Sequence, residues 1–96
     1  LSKLITVNKA EKEIKRLQHF VALVENYEAN TLDKWIIKEY AYTNSVREVV
    51  SRADRKGMDI DQEYAKSVIK GKPNDELHKI LKSGYMARIK PNQKKY

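Results

Sequence analysis

The chain has 96 residues, 20 Lys plus Arg against 13 Asp plus Glu, a formal net charge of +7 and no cysteine. That length holds one domain with a modest core, and the missing cysteines exclude a disulfide framework, a thiolate zinc site and a cysteine nucleophile. The longest apolar runs, such as Trp35-Ile36-Ile37, are too short to cross a bilayer, and nothing resembles the parts of a signal peptide. A small chain without disulfides is expected in the cytoplasm. The sequence opens on Leu1 rather than Met, which leaves an upstream start open.

The excess charge is uneven. Lys82, Arg88, Lys90, Lys94 and Lys95 fall in the last fifteen residues, which hold no acidic side chain. A basic segment of this kind attracts polyanions, with nucleic acid the first partner to consider and solubility the bland alternative.

In chain order, residues 1–8 read as an N-terminal arm, and Asn8, with Glu11 three residues on, reads as a helix cap. From Lys9 to Tyr27 the helical signal is strong. Ala10, Ile14, Leu17, Val21 and Val24 recur at alternating spacings of four and three, with Phe20, Leu23 and Tyr27 widening the stripe. That spacing fits an intramolecular core or a homodimer seam through Ile14, Leu17, Val21 and Val24, although it lasts only about two heptads.

Asn30 or Thr31 caps a second helix, Leu32 to about Tyr42, with Leu32, Trp35, Ile36 and Tyr40 inward. Ser45 with Glu48 forms a capping box ahead of a third helix, to about Lys56, whose apolar face is Val46, Val49, Val50 and Ala53. Gly57 stands where a left-handed C-cap belongs. Asp59 with Gln62 suggests a further box before a fourth helix, about Ile60 to Lys70, with Ile60, Tyr64, Ala65, Val68 and Ile69 inward. Gly71 and Pro73 stop it. Asn74 caps a last helix that Gly84 is expected to end, leaving residues 85–96 as a basic tail. The fold class is therefore all-α, a small bundle of about five helices over residues 9–84, with a helix-turn-helix-like trihelical centre at residues 32–72.

Catalytic chemistry is hard to place. His19 and His78 have no second histidine one helical turn away. Asp75 and His78, three residues apart, are better explained by the preference of carboxylates for a helix N-terminus than by a metal. No glycine-rich phosphate loop exists, since Gly57, Gly71 and Gly84 each follow a helical stretch. The expectation is a binding protein without cofactor or metal rather than an enzyme.

The run "YAYTNSV" at Tyr40–Val46 resembles the lead into the paired helices of trihelical DNA-binding domains. With "NSVREVV" and "YAKSVIKGKP", the stretch from Trp35 to Leu77 resembles small helix-turn-helix-like proteins of Gram-positive bacteria and their phages. The resemblance implies a regulatory or replication-linked role on double-stranded DNA.

On this reading Gln62, Lys66, Ser67 and Lys70 face the major groove, Gln suiting adenine and Lys suiting guanine or phosphate. Arg47, Arg52, Arg55, Lys56 and Lys72 contact phosphates, and Lys90, Lys94 and Lys95 add sequence-independent affinity by counterion release. Arg52 and Lys66 both lie off the apolar faces. Two features oppose it: Asp59, Asp61 and Glu63 crowd the start of the supposed recognition helix, and the connection "RKGMDID" is longer than a compact turn. The alternatives are a protein–protein interaction module built on the first helix and a phage factor that blocks a host enzyme, neither binding DNA.

Overall fold

The computed structural model describes residues 6–93 of the chain, and side chains through residue 89. Five helices follow one another: α1 (Val7–Glu25), α2 (Leu32–Thr43), α3 (Val46–Arg55), α4 (Gln62–Lys70) and α5 (Glu76–Gln93). No strand occurs among the described residues.

Each helix starts on a side chain that accepts from the amide three residues on. Thr6 takes Lys9 N at 3.2 Å, Thr31 takes Lys34 N at 3.2 Å and Ser45 takes Glu48 N at 3.1 Å. Asp61 takes Tyr64 N at 2.8 Å and Asp75 takes His78 N at 2.9 Å. Such a cap is worth about 1 kcal/mol, because it satisfies an amide that the helix itself leaves free. Three starts differ from the sequence expectation: Thr6 caps rather than Asn8, Asp61 rather than Asp59, and Asp75 rather than Asn74. At α4 the physical reason is Ile60. Held outside the helix just before the cap, it packs on the core at the position of a hydrophobic staple, with buried Ala65 in the first turn beyond.

The helix ends are equally specific. Asn44 closes α2 in the left-handed region at φ 53, and its amide bonds Tyr40 O at 2.7 Å. The chain can therefore turn into α3 with only Asn44 and Ser45 between the two helices. Gly57 follows α3 at φ 79, with Gly57 N to Asp54 O at 3.0 Å and Met58 N to Ala53 O at 2.9 Å. This nested pair is a Schellman closure, and the left-handed residue at its centre favours glycine.

The core gathers Val24, Ile36, Ile37, Tyr40, Val49, Ala65, Ile69, Leu77 and Tyr85. Helix α2 sits at its centre and packs against each of the other four helices. Fully burying an Ile or Leu side chain is worth roughly 1.5–3 kcal/mol, which outweighs the weak intrinsic stability of helices as short as α3 and α4. The same term explains α5. Gly84 does not stop it; the helix runs on to Gln93 because Tyr85 is buried and Met86 and Ile89 pack on the core. The residues expected to open a basic tail are thus helical.

Helix α1 departs most from expectation. Val24 is buried and Phe20, Leu23 and Tyr27 pack on the core, yet Ile14, Leu17 and Val21 are about half exposed. It docks through Phe20, Leu23 and Val24, with Tyr27 just beyond its end, and of these only Val24 belongs to the regular stripe of the sequence. Tyr64, expected in the core, is also exposed, and its hydroxyl donates to Asp33 Oδ1 at 2.5 Å.

Two glycine substitutions should act with opposite sign. Gly57→Ala forces an L-residue into the left-handed region and should cost about 1–2 kcal/mol. Gly84→Ala fills open space inside a helix, and should stabilise by roughly 0.5–1 kcal/mol. Urea unfolding of both variants checks the pair.

Candidate nucleic-acid interface

Helices α2, α3 and α4 pack against one another pairwise, with Ile36, Ile37, Tyr40, Val49, Ala53, Ala65 and Ile69 buried on their inner faces. This arrangement sets which basic side chains are free and which are already engaged. On α4, Ala65 and Ile69 turn inward, so Glu63, Ser67 and Lys70 lie exposed on the opposite face with Lys66 at its margin. Lys70 in the last turn suits the negative end of the helix dipole, and Lys72 stands exposed just beyond.

Five of the expected contact residues keep their side chains free of ion pairs and hydrogen bonds among the described residues: Arg47, Lys56, Gln62, Lys70 and Lys72. Lys66 lies 3.9 Å from Glu63 on an exposed surface, a contact of small energetic value. Ser67 donates to the carbonyl of Tyr64 at 2.7 Å, which leaves its oxygen lone pairs available. Lys90, Lys94 and Lys95 lie outside the residues whose side chains are described.

Arg52 and Arg55 are already paired with carboxylates of the protein itself. Arg52 Nη1 donates to Glu39 Oε1 at 2.7 Å, tying α3 to α2, and its Nε lies 3.7 Å from Glu48. Hydrogen bonding to Glu39 raises the Arg52 guanidinium above its ordinary value, with the charges of Glu39 and Glu48 adding to the effect. Arg55 Nη2 reaches Glu48 at 3.1 Å. Glu48 therefore serves the arginines of its own helix rather than completing a reciprocal capping box. Arg52→Glu would set a third carboxylate against Glu39 and Glu48, so it probes stability before it probes binding.

Arg88 is likewise a fastener. Its Nη1 lies within hydrogen-bond distance of Tyr40 Oη, Asn44 O and Asn44 Oδ1 at 3.0–3.2 Å, joining α5 to the end of α2. Sequence reasoning counted it as tail charge. The signal it missed was the αL residue Asn44, whose carbonyl is left without a helical partner and faces α5.

The acidic cluster also has structural duties. Asp75 caps α5 through Oδ1 and accepts the Tyr27 hydroxyl through Oδ2 at 2.7 Å. His78 is buried, and its Nε2 donates to Ile69 O at 3.0 Å, since a carbonyl can only accept. These links line a cleft of about 300 Å³ between α2, α4 and the start of α5, whose rim carries Lys34, Tyr64 and Lys72. Among the described residues no three His, Cys, Asp or Glu side chains converge as metal ligands, and no helix is long and apolar enough to cross a membrane.

Burial raises the Tyr27 phenol well above its ordinary value near 10, and the hydrogen bond and charge of Asp75 add to the shift. Above about pH 10 the unfolded chain loses this proton while the folded chain keeps it, so stability is full below that pH and falls as pH rises. The urea midpoint should therefore drop between about pH 9 and about pH 11, and Tyr27→Phe should flatten that drop. No family model, curated protein or solved structure matches the chain.

Proposed function

We propose that the chain binds double-stranded DNA through the outward side of α3 and α4, with α2–α4 acting as a helix-turn-helix-like unit. The observation that carries this reading is the set of uncommitted side chains around one helix pair: Arg47 and Lys56 at the two ends of α3, and Lys70 and Lys72 at the end of α4. Neutralising phosphates with such groups releases counterions, which gives most of the affinity of a small basic domain.

The C-terminal half of α4 makes the approach. Lys66, Ser67 and Lys70 face outward there, whereas Asp61 and Glu63 at the N-terminal end would repel phosphates. This polarity is opposite to that of prototype helix-turn-helix proteins, which lead with the N-terminus of the recognition helix. It agrees with the six-residue connection Lys56–Asp61 between α3 and α4, which gives α4 a setting that a compact turn does not require. Arg52 acts indirectly by tying α3 to α2, and Arg55 is paired with Glu48 along α3 itself. The resemblance to proteins of Gram-positive bacteria and their phages extends the reading to regulatory or replication-linked work on DNA.

Fluorescence anisotropy with a random-sequence duplex, at two salt concentrations about fourfold apart, tests this directly. Binding should fall steeply with salt, and Lys70→Glu with Lys72→Glu should weaken it and lower the salt slope by about one unit per lysine. Both positions are exposed, so helicity should not change. Absence of binding at low salt, or wild-type binding by the folded double variant, would reject the interface.

A further inference from the structure

The apolar row on α1 that the bundle leaves uncovered points to a second copy of this chain. Val7, Ile14, Leu17 and Val21 are 74%, 53%, 48% and 50% exposed, and a groove runs along Ile14, Leu17 and Val21. The row and the docking face are different flanks of one helix. At about 100° per residue the row centres roughly 110° around the axis from Phe20, Leu23 and Val24. A helix laid on the row therefore meets α1 without displacing the core. Val24, which the spacing alone would add to the seam, belongs to the core instead.

We infer that α1 pairs with α1 of a second copy as a short, parallel, in-register coiled coil. The occupant follows from the residue types. With Val7, Ile14 and Val21 at the first core position of each heptad and Ala10 and Leu17 at the second, every first position is β-branched and the central second position is Leu. That combination favours two parallel strands, because β-branched and Leu side chains fit the two kinds of hole in such a pair.

The flanking charges agree. In parallel register Glu13 lies beside Gln18 of the second copy, and no like charges meet across the seam. An antiparallel pair would run the Glu11–Gln18–Glu25 row against itself. Arg16, paired with Glu13, and Lys12 stand on the outer side. The short length is offset because the docked C-terminal half of α1 already supplies the helix nucleus that an isolated peptide would have to form. This inference stands apart from the nucleic-acid reading, and either can fail alone.

Sedimentation of the full chain over a range of micromolar concentrations should give a mass rising to twice that of one chain. Leu17→Glu should hold it at the single-chain mass with the core helices intact. If that variant does not fold, Val7→Cys keeps the test decisive, because the chain has no cysteine of its own. In parallel register the two Val7 positions adjoin, and mild oxidation should yield a disulfide-linked dimer, while Lys12→Cys on the outer side should not. Antiparallel pairing would part the Val7 positions by roughly 20 Å at 1.5 Å rise per residue. A single-chain mass at every concentration would overturn the inference, as would equal cross-linking of Lys12→Cys and Val7→Cys.

Discussion

The burial of Ile36, Ile37 and Tyr40 on α2 is the constraint on which the rest of the structure depends. These three side chains are nearly water-free, and they lie on the one helix that every other helix touches. Without α2, the nine- and ten-residue helices α4 and α3 would lose the partner that both share, and helices that short are marginal in water. The polar fastenings gather around the same helix. Arg52 reaches Glu39, Arg88 reaches Tyr40 and Asn44, Lys38 donates to Tyr27 O, and Tyr64 donates to Asp33. Each draws a neighbouring element or loop onto α2.

This arrangement divides the basic residues into two groups with different work. One group already has acceptors on the protein itself: Arg52 and Arg88 join helices, and Arg55 pairs with Glu48 along α3 on an exposed surface. The other group, Arg47, Lys56, Lys70 and Lys72, has none among the described residues and is available to an anionic partner. The arginines mostly fasten and the lysines mostly stay free. That follows from their chemistry, since a planar guanidinium can serve several acceptors at once and a compact, strongly hydrated ammonium is less readily held.

Helix α1 stands apart from this economy. Its Phe20, Leu23 and Val24 complete the core, while the row from Val7 to Val21 presents apolar side chains that the bundle does not cover. The two sets use different flanks of the same helix, so the intramolecular packing and a contact between copies are compatible. Only Val24 is claimed by both the heptad spacing and the core, and the core has it.

Much of the fold was legible in the sequence. Apolar spacing set the number and order of the helices. Ser45 had a mechanism as a cap, and Gly57 had one as a left-handed stop. What the sequence did not settle was which of several neighbours acts: Asn30 or Thr31 stayed open, Asn8 and Asp59 read as caps where Thr6 and Asp61 serve, and Gly84 read as a stop where it lies inside a helix. Those choices depend on burial elsewhere: Ile60 has to reach the core before α4 starts, and Tyr85 has to reach it after Gly84. The candidate interface was legible only as a list of basic residues, because charge is visible in sequence but its partners are not. Length, the missing cysteines and the period of the apolar residues determined by themselves that this is a small, basic, all-helical chain. Tertiary structure alone decided that Arg52 and Arg88 join helices within the molecule, and that α1 docks through Phe20, Leu23 and Val24 rather than by its most regular apolar row. The physical reason is that local spacing specifies a face for each helix, whereas only the packed bundle specifies what, if anything, that face meets.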